Sequence, residues 1–179
     1  MKKMLTFLAI ASFSALMAAE IKIDWSKAKI NDETYPGWLM DKYGKPEDLG
    51  SGKIIAGSKE GTFAYELTGN VSNTAYYRAK NVKVKVGDIV KISAKLKGNG
   101  KLAVGYYCYD YSFVGKVVNN VHEFVATPDF QDVSVELEIK QPLEANRTVT
   151  SIRPMIAIRP KSNAVVEDLK IEIIKKEEK

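Results

Sequence analysis

The chain has 179 residues, of which 45% are hydrophobic, 27% charged and 9% aromatic. That is globular composition, and it excludes a wholly disordered chain, a collagen-like repeat and a polytopic membrane protein. With 27 basic and 22 acidic side chains the net charge is +5, too mild to point to nucleic acid as a partner.

Lys2 and Lys3 head an apolar stretch, Met4 to Met17, which runs into Ala18, Ala19 and Glu20. A basic head, an apolar run and small residues are the pattern of a secretory leader, here residues 1–19, cleaved near Ala19. The run is shorter than a bilayer requires. Export to the periplasm or the medium is therefore expected, with no membrane span. Cleavage removes two lysines and leaves 25 basic against 22 acidic side chains, a net charge of +3. Residues 20–179 are read as one domain.

Along that domain apolar residues alternate with polar ones in short runs bounded by Gly, Asn, Asp or Pro, the pattern of strands. Strands are expected near 21–24, 53–58, 62–68, 74–86, 89–97, 101–110, 117–126, 130–139, 151–159 and 164–174. Residues 25–52 hold both tryptophans and read as a long ordered loop or a single helical turn. Lys175 to Lys179 read as a solvated charged tail. Ten short strands with turns between them indicate an all-β sandwich of two antiparallel sheets. A single cysteine, Cys108, excludes an internal disulfide and reads as a buried thiol. A single histidine, His122, argues against a His-rich metal site.

Gly98-Asn99-Gly100 reads as the three-residue loop of a hairpin. That loop pairs Leu96 with Leu102 and Ile92 with Tyr106, and keeps one face apolar. The other face then carries Tyr107, Tyr109 and Tyr111, with Lys91 opposite Tyr107. Exposed tyrosines beside small Ala103 and Gly105 suit a sugar ring, which has apolar C–H faces and a hydroxyl rim. Arg153 lies on the polar face of strand 151–159, where a guanidinium can grip a carboxylate. Glu136 and Glu138, two residues apart on one strand, stand within the spacing range of glycosidase acids, but Lys140 follows them and no enzyme is expected.

Three pieces carry a family resemblance. They are the stretch from Val84 to Asp110, Pro36-Gly37-Trp38 followed by Gly61–Leu67, and Val166-Glu167-Asp168-Leu169-Lys170-Ile171-Glu172. Together they resemble the jelly-roll carbohydrate-binding modules of the galactose-binding-like type. The resemblance implies a jelly roll that binds a polysaccharide or glycan without cleaving it, beside a separate glycan-degrading enzyme. It implies Trp38 folding over Tyr107 and Tyr109, with Lys91 and Arg153 as polar partners. No cofactor follows from the residues alone. The resemblance implies a structural calcium on Asp168, completed by Asp24 and backbone carbonyls near Lys59–Gly61.

A second expectation comes from charge. Between residues 80 and 101 stand seven lysines and one acid, Asp88, whereas Asp129, Asp132, Glu136, Glu138 and Glu144 face only Lys140. Faces of opposite sign could pair head to tail, so self-association as a structural protein of a bacterial envelope is the alternative to glycan binding.

Overall fold

The structure is a computed structural model that describes residues 18–41, 44–110, 112, 120–143 and 146–176. Among the described residues stand eleven strands, β1 (Ala18–Glu20), β2 (Trp38–Met40), β3 (Ser51–Ala56), β4 (Phe63–Thr68), β5 (Thr74–Arg78), β6 (Val82–Lys83), β7 (Ile89–Tyr109), β8 (Val121–Ala126), β9 (Gln131–Glu138), β10 (Ser151–Ile158) and β11 (Asn163–Ile174). Every pairing among them is antiparallel. They form one curled sheet in which seven follow the order β2-β5-β10-β7-β11-β4-β3, while β1 pairs with β11, β6 with β10, and β8 and β9 with β7. The expected leader lies almost wholly outside the described residues, and Ala18 and Ala19 pair with Ile174 and Ile173. No helix among the described residues is long and apolar enough to cross a membrane.

The curl comes from β7. At 21 residues it would be about 65 Å long if straight, much longer than one face of a domain this size. Its first half pairs with β11 on one side and β9 on the other. Its second half pairs with β10 and β8. The change of partners falls at Gly98-Asn99-Gly100. Gly98 has φ 144° and Gly100 φ 91°; a Cβ on Gly98 would run into Asn163 at the start of β11, and one on Gly100 into Ser162 just before it. Glycine is needed there because the backbone bends while its neighbours stay close.

The expected hairpin is therefore not formed. Leu96 pairs with Val166 and Gln131, and Leu102 with Ile158 and Phe124. The inward set is nonetheless the anticipated one. Val90, Ile92 and Leu96 are buried, and so are Leu102, Val104, Tyr106 and Cys108. Both halves of β7 contribute to one continuous core, which the two halves of the sheet enclose. Both edges of each half of β7 are occupied by other strands, which satisfies its backbone groups and leaves no edge for the two halves to pair with each other.

Other segments also differ from expectation. The stretch 25–52 contains β2 and single 3₁₀ turns at Trp25–Lys27 and Pro46–Asp48. Residues 74–86 break into β5 and β6. The lysines of β7 meet the acids of β9 within the chain, Lys91 opposite Glu136 at 3.7 Å and Lys95 opposite Asp132. Part of the complementary charge thus meets between neighbouring strands of one chain.

Lys175 and Lys176 are tied down by a buried carboxylate, Asp88. It is 2% exposed and accepts hydrogen bonds from Lys175 Nζ at 2.8 Å and the Lys85 and Lys176 amides at 2.9 and 3.1 Å. Burial raises its pKa, but these donors outweigh burial and hold it below the ordinary carboxylate range. A depressed pKa contributes stability above the unfolded value near 3.9, and that stability is lost as pH falls through the folded value. Asp88→Asn is expected to cost about 2 kcal/mol at neutral pH. Urea melts of the two proteins should converge as pH falls through the depressed folded value. A deficit that stays constant with pH would show that charge is not what Asp88 contributes.

Candidate functional site

Strands β5, β10 and β7 lie side by side, and their odd-numbered residues point away from the main core. The register places Tyr77 beside Met155, Met155 beside Gly105, Arg153 beside Tyr107 and Ser151 beside Tyr109. Gly105 has no side chain to intervene, and the Tyr77 and Tyr107 rings meet edge to face at 5.6 Å. Below them Ala103, Met155 and Ala157 form a second apolar cluster, against which Ala75, Tyr77 and Tyr107 pack. Tyr77, Tyr107 and Tyr109 are half-buried, so each ring has a packed side and a side toward solvent.

Arg153 joins the rings. Its guanidinium lies 4.5 Å from the Tyr109 centroid and 5.9 Å from that of Tyr77, in range for cation–π attraction. Its Nε donates to Asn81 Oδ1 at 2.6 Å, and Asn81 donates in turn to Ser151 Oγ at 3.0 Å. The guanidinium is thereby anchored beside the rings. On the other flank Tyr107 donates its hydroxyl to Asp41 Oδ2 at 3.1 Å. Burial raises the Tyr107 pKa, and the Asp41 carboxylate adds to it. Burial raises that of Tyr109 too, with Arg153 opposing. Both phenols stay protonated at neutral pH. The face thus presents three aromatic rings, a cation and a carboxylate.

Tyr107, Tyr109 and Arg153 come together here; the other expected residues do not join them. Trp38 is 5% exposed, part of the main core, with its ring 5.4 Å from that of Tyr35. It sits in a strand, β2, and the alternation of that strand turns Trp38 inward and Leu39 outward beside Tyr77. Lys91 belongs to the first half of β7, on the outer surface opposite Glu136, and does not face Tyr107. Tyr111 lies outside the described residues. Sequence reasoning missed Tyr77, Asp41 and Asn81. Tyr76-Tyr77 on a strand did carry a signal, since alternation must send one of the two outward.

The expected calcium ligands have separate partners. Asp24 bonds Ser26 and pairs with Lys27 at 2.9 Å. Asp168 pairs with Lys95 at 3.3 Å. The Lys59 carbonyl accepts from Thr62. Among the described residues no three His, Cys, Asp or Glu side chains gather as a metal ligand set. His122 is exposed, beside Phe124 at 4.8 Å. Cys108 is a buried free thiol, its pKa pushed up to about 12 by burial.

No protein-family model matches the chain, and no curated protein matches it. Solved structures do share the fold. A cyclase from Fischerella sp. TAU superposes with a TM-score of 0.62 at 9% identity, over 90% of this chain and all of that one. A Stig cyclase of the same organism, in complex with (3Z)-3-(1-methyl-2-pyrrolidinylidene)-3H-indole, gives 0.60 at 10% identity. A Clostridium thermocellum xylanase 10B structure, holding CBM22-1 and GH10 modules with xylohexaose, gives 0.53 at 16% identity, over 80% of this chain and 27% of that one. At such identities the likeness concerns the fold. It overturns the expectation of a non-enzyme, because enzymes share this fold over their whole length. A curled β-sheet of this kind does not by itself exclude catalysis.

Proposed function

We propose that the chain is a jelly-roll protein of the galactose-binding-like type that binds a glycan on its Tyr77–Tyr107–Tyr109–Arg153 face. One observation carries the reading: the Arg153 guanidinium, anchored by Asn81, lies 4.5 Å from the Tyr109 ring centroid and 5.9 Å from that of Tyr77 on a half-buried surface, beside Tyr107 and the Asp41 carboxylate it bonds. Rings of this kind stack on the C–H faces of sugars. Arg153 and Asp41 supply a donor and an acceptor for the hydroxyls between them. The fold shared with a xylanase structure that holds xylohexaose supports the same reading. Export to the periplasm or the medium would bring the face to polysaccharides, and a separate glycan-degrading enzyme is the partner that suits it.

The test begins with a glycan array, followed by calorimetry on the best ligand. Tyr109→Ala is expected to weaken binding about thirtyfold, since a central aromatic is worth about 2 kcal/mol. Its melting temperature should barely move, because a half-exposed ring leaves no core cavity. Unchanged affinity in both Tyr109→Ala and Arg153→Ala would sink the assignment.

A further inference from the structure

Two clefts on the other half of the sheet meet at one residue, Asp168. The first, about 390 Å³, is lined by Trp25, Ser26, Gly61, Thr62, Phe63 and Asp168. The second, about 300 Å³, lies over β7 and β9 and is lined by Ser93, Lys95, Asp132 and Ser134 together with Asp168. Both volumes fall in the range of ligand sites. None of these residues belongs to the tyrosine face.

The first cleft has a fixed aromatic plane. Trp25 stacks on Phe63, centroids 5.8 Å apart and planes 12° from parallel, and its edge meets Tyr35 at 5.2 Å. It is half-buried, so the ring is immobilised by packing and still borders the cleft. The second cleft has no aromatic residue; Ala94 and Val133 line it together with two hydroxyls, one ammonium and two carboxylates. Ser93 faces Ser134 across the ladder, and Lys95 faces Asp132.

Asp168 joins the two. It has φ 51° at the point where the β11–β7 register shifts, between Glu167 and Lys170. A non-glycine residue in that conformation is strained, and such bulges redirect a side chain out of the alternating pattern. Here the result is a carboxylate 63% exposed, set between the aromatic plane and Lys95. Glu167, beside it, is spent on the fold, bonding the Ser58 amide and hydroxyl.

We propose that the two clefts form a second carbohydrate groove, which takes a neutral oligosaccharide of at least two sugar units. One ring lies on Trp25, and the next is bonded by Asp168, Lys95 and the serine pair. Charge decides the class. Carboxylates outnumber the single ammonium, which disfavours a polyanionic glycan, and mixed donors and acceptors match hydroxyls, which are both. The proposal rests on the glycan-binding reading and adds a site that reading does not contain.

The two tryptophans of the chain make the test direct, since Trp25 borders the groove and Trp38 lies in the core. The indole N–H signals of the ¹⁵N-labelled protein are followed during titration with cellohexaose, xylohexaose and mannohexaose, with Trp25→Phe as the assignment control. The Trp25 signal is expected to shift with one of them while that of Trp38 stays. Asp168→Asn, which tolerates the left-handed backbone, should weaken that shift at least tenfold without lowering the melting temperature, and Tyr109→Ala should leave it intact. A stationary Trp25 signal while Tyr109-dependent binding persists overturns the second groove and leaves the first reading standing. Binding of none of the three, with an array equally blank, overturns both.

Discussion

Tyr106→Ala is expected to destabilise the protein by about 4 kcal/mol, whereas Tyr107→Ala, one residue on, should cost about 1 kcal/mol. Tyr106 is fully buried at the centre of the second half of β7, and its hydroxyl donates to the Glu138 carbonyl at 2.9 Å. Truncation leaves a cavity the size of a ring inside a sheet that cannot collapse to fill it, and strands the Glu138 carbonyl without its donor. Tyr107 faces the other way. It loses an edge contact with Tyr77 and a hydrogen bond to Asp41, on a surface that water can reach. Tyr106→Phe separates the two contributions, since it keeps the ring and removes only the bond; about 1 kcal/mol is expected. Chemical denaturation of the three variants decides the matter. A Tyr107→Ala loss exceeding that of Tyr106→Ala would mean that the inward and outward faces of β7 are exchanged.

The second large effect is alkaline unfolding. Tyr35, Tyr65, Tyr76 and Tyr106 are all buried in the main core. Burial raises the pKa of each above the ordinary tyrosine value, Tyr76 to about 12 and the others further. A raised pKa means that the folded state holds protons which the unfolded state releases. Stability is complete below the unfolded pKa near 10 and is lost as pH rises above it. Each such group removes about 1.4 kcal/mol per pH unit, so the four together remove about 6. A fold of ordinary stability, about 10 kcal/mol, is used up within about two units. Cooperative unfolding is therefore expected at about pH 12. Tyrosinate absorbance at 295 nm and far-ultraviolet circular dichroism should change with one midpoint. Tyrosines that all titrate near pH 10 with the strand signal unchanged would contradict the buried cluster.

The alternation in β7 was legible from residue types alone. Val90, Ile92, Leu96, Leu102, Val104, Tyr106 and Cys108 form one apolar row, and all seven are buried. The same parity sends Tyr107 and Tyr109 outward, and the alternation of Ile152, Pro154, Ile156 and Ile158 sends Arg153 to the same side. Antiparallel all-β structure, the positions of β3, β4, β9, β10 and β11 to within a few residues, and the buried thiol of Cys108 belong to this class. They depend on period two and on hydrophobicity, which are local properties.

What neighbours what was not local. Residues 96 and 102 have equal parity, so a three-residue hairpin and a strand that bends through Gly98 and Gly100 bury the same side chains. Only β8, β9, β10 and β11, arriving from far along the chain, choose the bent strand by occupying both of its edges. That choice carried Lys91 away from Tyr107 and put it opposite Glu136. Trp38 turned inward because β2 joined β5, a pairing with no signature in a segment rich in loop residues. Within β7 and β10 the alternation by itself determined which side chains face the main core and which face away. The tertiary structure alone decided which outward side chains meet, because a strand's faces are set by its own sequence and its partners by every other strand.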